Sequence, residues 1–234
     1  MNKFLTKKNT ISKAFKYAFP KTIPIFMGFW FLGLAYGIYA NVSGFSWIYP
    51  TIMSMLIFGG SLEFVCIEMM MSVFSPLAAF LVALMIQARH IFYGISMLEK
   101  YKGLGWKRPY LIYGLCDETF SINFTSEIPE GVDRGWFYLI VTFLNHFYWV
   151  FGSCLGGIIG GFVSFNVEGI DFVMTALFVV IFIEQLLKEK QPYTALIGLL
   201  SSIVCLLVFG ADSFILPAMI CILVLLTVFK KIIA

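Results

Sequence analysis

Apolar runs of about 20 residues, long enough to form membrane-crossing helices, recur along the chain between short polar breaks. A helix of that length crosses a hydrocarbon core roughly 30 Å thick. The pattern therefore predicts an all-α, polytopic integral membrane protein with about seven transmembrane helices. The predicted spans cover residues 22–41, 47–73, 76–98, 136–163, 170–187, 192–210 and 213–230.

Segment 109–125 is an eighth candidate, but it is only moderately apolar because it carries Asp117 and Glu118. If it crosses, both termini are cytoplasmic and the lysines near the C-terminus fall inside, as the positive-inside rule prefers. The loop from Lys100 to Arg108 then falls outside, against the same rule. If the segment does not cross, the later lysines fall outside instead. A re-entrant helix is the third alternative, since irregular backbone at membrane depth is tolerated where protein or water surrounds it.

Composition leaves no room for a soluble domain. The chain is 60% hydrophobic and 12% charged, whereas about 25% of the residues of an ordinary soluble domain are charged. We predict one transmembrane domain over residues 1–234, with a basic N-terminal arm (1–21) and a central linker region (99–135). The six lysines of the arm place the N-terminus in the cytoplasm, next to anionic lipid. The net charge of +3 is thus a topology signal and predicts no nucleic-acid partner.

Catalytic and metal-binding patterns are missing from the sequence. The five cysteines stand singly in mostly apolar stretches, and the only histidines are His90 and His146. This predicts buried thiols, no metal and no cofactor. No nucleophile elbow, phosphate-binding loop or zinc-protease motif occurs, so we do not expect an enzyme.

Arg89 and His90 interrupt the otherwise apolar span 76–98. An arginine at the centre of a bilayer helix costs about 2.5–3.5 kcal/mol even on an insertion scale, so such residues usually face a polar interior. Arg89 is thus a candidate to bind a substrate carboxylate, and His90 to relay a proton. The alternatives are that Arg89 lies near a membrane surface or locks two helices together, and that His90 is a packed neutral side chain.

The stretch Phe58-Gly59-Gly60-Ser61-Leu62-Glu63-Phe64 places a glycine pair, a hydroxyl and a carboxylate inside span 47–73. Helices break at such places, and the freed backbone groups of Gly59, Gly60 and Ser61, together with Glu63, can bind the polar end of a small molecule. Burial favours the neutral form of a carboxyl group, so Glu63 is also a candidate proton carrier. The equal alternative is that Glu63 is the fixed ion partner of Arg89.

Asp117 and Glu118 form a third cluster and are candidates for binding a substrate ammonium (Asp117) and for proton coupling (both). As residues at a membrane boundary they would be ordinary. Asp171 is predicted to cap the fifth span. Glycines at Gly-x-x-x-Gly spacing predict close helix packing, and a shift of 124 residues, which pairs Gly33 with Gly157, suggests an internal repeat.

Four stretches of the chain, at 58–64, 87–96, 116–120 and 169–178, resemble in this order the motifs of the AzlC family. The family pattern is roughly F-A-G-A-S-Q-F, N-x-R-H-x-x-Y-G-x-S, T-D-E-x-F and G-x-D-F-x-x-x-A-L-F. The likeness covers about residues 20–210 and departs from the pattern at Glu63, Gln87 and Cys116, where the family usually has Gln, Asn and Thr. It implies the large subunit of a bacterial exporter of branched-chain amino acids, which works with a small AzlD-type membrane subunit.

The residues and the resemblance together predict a multi-pass transporter subunit of the bacterial cytoplasmic membrane that exports small apolar amino acids with proton coupling. A zwitterionic substrate needs a cation for its carboxylate, an acceptor for its ammonium and an apolar pocket for its side chain. The alternative is a non-transporting assembly or scaffold subunit, in which Arg89 and Glu63 would form a closed pair.

Overall fold

The computed structural model describes residues 2–73, 75–162, 179, 183, 186–187, 192–210 and 214–233. The regular secondary structure of these residues is helical, as the hydrophobic pattern predicts. The helices are α1 (Asn2–Val42), α2 (Ile48–Leu56), α3 (Ser61–Met71), α4 (Pro76–Gln87), α5 (Arg89–Met97), α6 (Lys107–Tyr113), α7 (Asp117–Thr125), α8 (Arg134–Gly160), α9 (Pro192–Phe209) and α10 (Ile215–Ile233).

The chain forms two compact units, Met1–Val167 and Glu168–Ala234. In the second unit α9 and α10 pack against each other. The predicted span 170–187, with Asp171, lies almost wholly outside the described residues. Within the described residues two helices are long and apolar enough to cross a membrane, Asn9–Val42 and Arg134–Gly160, and the bent pair α4–α5 makes a third if it counts as one span.

α1 and α8 pack side by side and run in the same direction. A Cβ added to Gly33 would lie 3.1 Å from the Cα of Gly152, and one added to Gly160 would lie 2.9 Å from the Cβ of Asn41. Residue numbers therefore rise together along both helices. The close approach confirms that these glycines serve helix packing, since a side chain at either position would push the backbones apart.

α2 and α3 form a helical hairpin, which we call the first hairpin (residues 47–71). Its start lies at the C-terminal end of α8, where a Cβ on Gly157 would lie 2.9 Å from the Cα of Trp47. Its far end returns to that level, because the Tyr39 hydroxyl near the end of α1 donates to Glu68 Oε1 at 3.4 Å. The predicted single crossing over 47–73 is therefore wrong, since the break turns the chain back on itself.

The turn of the first hairpin has unusual backbone angles. Phe58 has φ of 47° and Gly60 has φ of 55°. Positive φ is rare for a bulky side chain such as Phe58 and easy for glycine. The predicted break at Gly59-Gly60 is confirmed, and the positive angles are the reason the chain reverses.

α6 and α7 form a second hairpin (residues 107–125), joined by a break at Gly114-Leu115-Cys116. The start lies at the N-terminal end of α8, where Lys107 Nζ is 3.5 Å from Asp133 Oδ1. The end returns to the same place: Asn123 Nδ2 donates to the Tyr101 hydroxyl at 2.9 Å, and Tyr101 belongs to the core cluster of Phe137 and Tyr138. Of the three sequence alternatives for 109–125, this geometry matches the re-entrant one.

α4 and α5 connect the two ends of the first unit. They meet at a bend of 54°, measured between Pro76–Leu84 and Arg89–Met97. α4 contacts α3, while Met97, at the end of α5, joins the core cluster at the N-terminal end of α8. The predicted span 76–98 is thus one bent helix pair, and Arg89 lies at its bend.

Candidate functional site

Three breaks in the helices, at 57–60, 88 and 114–116, meet beside the middle of α8. Gln87 Nε2, at the end of α4, donates to the carbonyl of Gly59 at 3.2 Å. From the other side, Arg89 Nη1 lies 2.9 Å from Asp117 Oδ2, at the start of α7. The contacts bring together groups that the sequence separates by nearly sixty positions.

Glu63 holds the turn of the first hairpin. Its Oε1 accepts from the backbone N–H of Gly59 at 2.8 Å and of Gly60 at 3.3 Å. The indole Nε1 of Trp149 donates to Oε1 at 3.0 Å and to Oε2 at 3.1 Å. Glu63 is fully buried, so the cap on α3 and the link to α8 occupy its carboxylate.

The ion partner of Arg89 is Asp117, not Glu63. The alternative that paired Arg89 with Glu63 is therefore wrong, because the first hairpin directs Glu63 toward Trp149 instead. The Arg89 and Asp117 side chains are 39% and 27% exposed. The ion pair joins α5 to α7, and both side chains keep part of their surface exposed.

Several polar atoms around the breaks are buried and have no hydrogen-bond partner within the described residues. They include Gln87 Oε1, Arg89 Nε, His90 Nδ1 and Asp117 Oδ1. A buried polar group without a partner costs about 1–3 kcal/mol, so such groups need a purpose. The oxygens of Gln87 and Asp117 can accept from an ammonium group, and the Arg89 Nε–H can donate to a carboxylate, so the set matches the two charged groups of a zwitterion.

The remaining predicted residues lie at the same breaks. Ser61 is the first residue of α3, and Glu118 follows Asp117 in the first turn of α7. Their roles in binding substrate or protons stay predictions. No group of three His, Cys, Asp or Glu side chains placed to hold a metal ion occurs in the described part of the chain.

Sequence reasoning missed the contribution of α8. Asn145 Nδ2 donates to Thr119 Oγ1 at 3.1 Å, and the Tyr110 hydroxyl lies 3.0 Å from His146 Nδ1. With Trp149, these residues anchor both hairpins. The sequence does contain a pattern that indicates this contribution. Polar or hydrogen-bonding side chains recur at helical spacing on one face of the otherwise apolar α8, namely Thr142, Asn145, His146 and Trp149.

A cavity of 410 Å³ extends from the breaks along α5 and α6. Phe58, Gln87 and His90 line one end, and Tyr101 and Arg108 line the other. Burial raises the pKa of the Tyr101 phenol, so this hydroxyl keeps a proton to donate while it accepts from Asn123.

Comparison with known proteins places the chain in a family. The family model described as AzlC protein matches residues 24–163. The "Branched-chain amino acid transport protein AzlC" of Bacillus subtilis (strain 168) is 57% identical over 99% of this chain and 91% of that protein. An "Uncharacterized membrane protein" of Haemophilus influenzae is 47% identical over 94% of the chain and 90% of that protein.

The "Inner membrane protein YgaZ" of Escherichia coli (strain K12) is 25% identical over 86% of the chain and 84% of that protein. No solved structure matches the chain. The family match covers more than half of the sequence and includes the three motifs that lie at the helix breaks. The fourth motif, at 169–178, lies outside the described residues. The chain belongs to the AzlC family of membrane proteins, in which a relative is named for the transport of branched-chain amino acids.

Proposed function

We propose that the chain exports branched-chain or other small apolar amino acids across the bacterial cytoplasmic membrane, together with a small AzlD-type subunit and at the expense of the proton gradient. The observation that carries the proposal is the accessible Arg89–Asp117 pair at the meeting point of three helix breaks. Broken helices at membrane depth expose backbone groups and helix ends, which bind substrates and ions in transporters.

The Arg89–Asp117 pair offers one charge of each sign to a zwitterionic substrate. Arg89 can bind the carboxylate through its planar guanidinium, while Asp117 Oδ1, which is unpartnered within the described residues, can accept from the ammonium. In a scaffold the pair would be sealed. Its partial exposure therefore favours transport over the scaffold alternative.

The arrangement of the hairpins supports a particular topology. If each hairpin returns to the side from which it enters, α1, the α4–α5 pair and α8 are the crossings of the first unit. The predicted spans 170–187, 192–210 and 213–230 then bring both termini to the cytoplasm. Of the sixteen Lys and Arg residues, all except Arg89 then lie on the cytoplasmic side, as the positive-inside rule favours.

Proton coupling is assigned to carboxylates that can exchange protons with the substrate path. Asp117, Glu118 and His90 lie around the bend that holds Arg89. Glu63 is an acid where the family usually has glutamine, yet its carboxylate already accepts hydrogen bonds from Gly59, Gly60 and Trp149. We therefore propose Asp117 and Glu118 as the first proton carriers, with Glu63 third.

Counterflow in proteoliposomes tests the proposed function. Vesicles containing the chain, with and without the AzlD-type subunit, are loaded with unlabelled leucine and supplied with labelled leucine, isoleucine, valine or methionine. We expect labelled leucine to accumulate transiently with both subunits present and to fail with Arg89→Gln. Empty vesicles and labelled aspartate are the controls. Accumulation no greater than in empty vesicles, for all four amino acids, would refute the proposal.

A further inference from the structure

The 410 Å³ cavity between the turn of the first hairpin, α5 and α6 has a size and lining suited to one small ligand. Pockets for small molecules measure roughly 300–1,000 Å³ and combine apolar walls with few polar groups. The walls here are largely apolar, with Phe58, Ile91 and Ile112 among them. Among the described residues, Arg108 is the one lysine, arginine, aspartate or glutamate that lines the cavity.

Two of the polar atoms without a hydrogen-bond partner belong to side chains that line this cavity. Gln87 Nε2 is held by the Gly59 carbonyl, while Gln87 Oε1 is buried with no partner in the described residues. The same holds for His90 Nδ1. The deep end of the cavity thus has two polar side chains, three residues apart on the chain, whose hydrogen-bonding capacity is not fully used by the described residues.

The cavity also reaches the proposed cytoplasmic side. Arg108 is an exposed residue in the first turn of α6, next to Lys107, which contacts the N-terminal end of α8. An exposed cation at a cavity mouth attracts anionic groups such as a carboxylate. The deep end, at Phe58 and Gln87, adjoins the three breaks.

We infer that this cavity is the cytoplasmic-side binding chamber for the amino acid that the chain transports, with the side chains of Gln87 and His90 as the polar contacts at its deep end. The apolar walls hold the side chain, and Arg108 attracts the carboxylate at the mouth. The inference rests on the proposed function and deepens it, because it places a binding step before the Arg89–Asp117 pair.

Gly94 offers a direct test, because it lines the cavity and a Cβ added there would meet nothing within 4 Å. Gly94→Leu should therefore place an apolar side chain in the chamber, with open space around its Cβ. Gly28 is the matched control, since it is also helical, has equally open space and does not line the cavity. We expect Gly94→Leu to weaken leucine counterflow by at least about tenfold, as for a mismatch of one or more methylenes in a pocket, and Gly28→Leu to match the parent.

Thiol protection gives a second readout that does not depend on transport. In a cysteine-free background, Gly94→Cys should react with a maleimide, and leucine should slow that reaction while aspartate does not. Gly28→Cys should show no leucine effect. Parental leucine counterflow by a folded Gly94→Leu variant, or labelling of Gly94→Cys unchanged by leucine, would overturn the inference. If the parent itself shows no counterflow, the proposed function fails instead, and protection by leucine still decides whether the cavity binds.

Discussion

Removing the Glu63 carboxylate is the sharpest structural perturbation that the fold offers. Glu63→Ala leaves two buried N–H donors, on Gly59 and Trp149, and a partly buried one, on Gly60, without their acceptor. A buried donor that loses its partner costs about 1–3 kcal/mol, so the two buried donors alone predict a loss of roughly 2–6 kcal/mol. For a chain of this size each kcal/mol lowers Tm by about 2–4 °C, so the low end predicts a drop of about 4–8 °C.

Glu63→Gln is the matched control. The amide oxygen can accept from the same three donors, while the amide NH2 takes the place of Oε2, 3.1 Å from the indole N–H of Trp149, and cannot accept from it. The expected loss is smaller than for alanine, about 1–3 kcal/mol, the cost of one buried donor without an acceptor. Thermal unfolding of the detergent-purified protein, followed by size-exclusion chromatography after heating, measures both variants. An alanine variant that melts within about 2 °C of the parent, or a glutamine variant as unstable as alanine, would refute the capping role.

The other variants address charge, backbone and topology. Arg89→Gln should abolish counterflow in a folded protein and Arg89→Lys should retain part of it, because lysine lacks the bidentate fork; full transport by Arg89→Gln would remove Arg89 from the site. Gly60→Ala, at a positive φ, should lower the free energy of unfolding by about 1 kcal/mol or more and should also slow transport. An unchanged melting curve with unchanged transport would contradict the need for glycine at this turn. In a cysteine-free background a membrane-impermeant maleimide should label Val73→Cys from outside the cell and Lys102→Cys only after lysis. The reverse pattern would indicate that segment 47–73 crosses the membrane and would contradict the hairpin topology.

The sequence predicted the parts of the fold that depend on local chemistry. The glycine pair at 59–60 indicated a break because glycine tolerates positive φ, and the structure has one there. Glycine spacing in α1 and α8 indicated close packing, which is also present. Motif likeness identified the family because the polar residues around the breaks follow a distinctive order.

Other features depend on contacts between distant segments. Hydrophobic length alone cannot distinguish a crossing from a hairpin, since 47–73 contains enough apolar residues for either. The direction of the chain after Phe58 follows from two backbone angles and from the bond of Glu63 to Trp149, 86 positions away. The sequence likewise could not identify the ion partner of Arg89, because a helical pattern indicates on which face of the helix a side chain lies but not which other element it contacts.

The central claim, export of small apolar amino acids through the Arg89–Asp117 region, is tested most directly in cells. Cells that lack their own branched-chain exporters are supplied with a leucine-containing dipeptide, and internal and external free leucine are followed over time. With the chain and its AzlD-type subunit expressed, we predict a smaller internal pool and faster release of leucine than in cells that express the Arg89→Gln variant at equal level. Equal internal pools and equal release rates in the two strains would contradict the account.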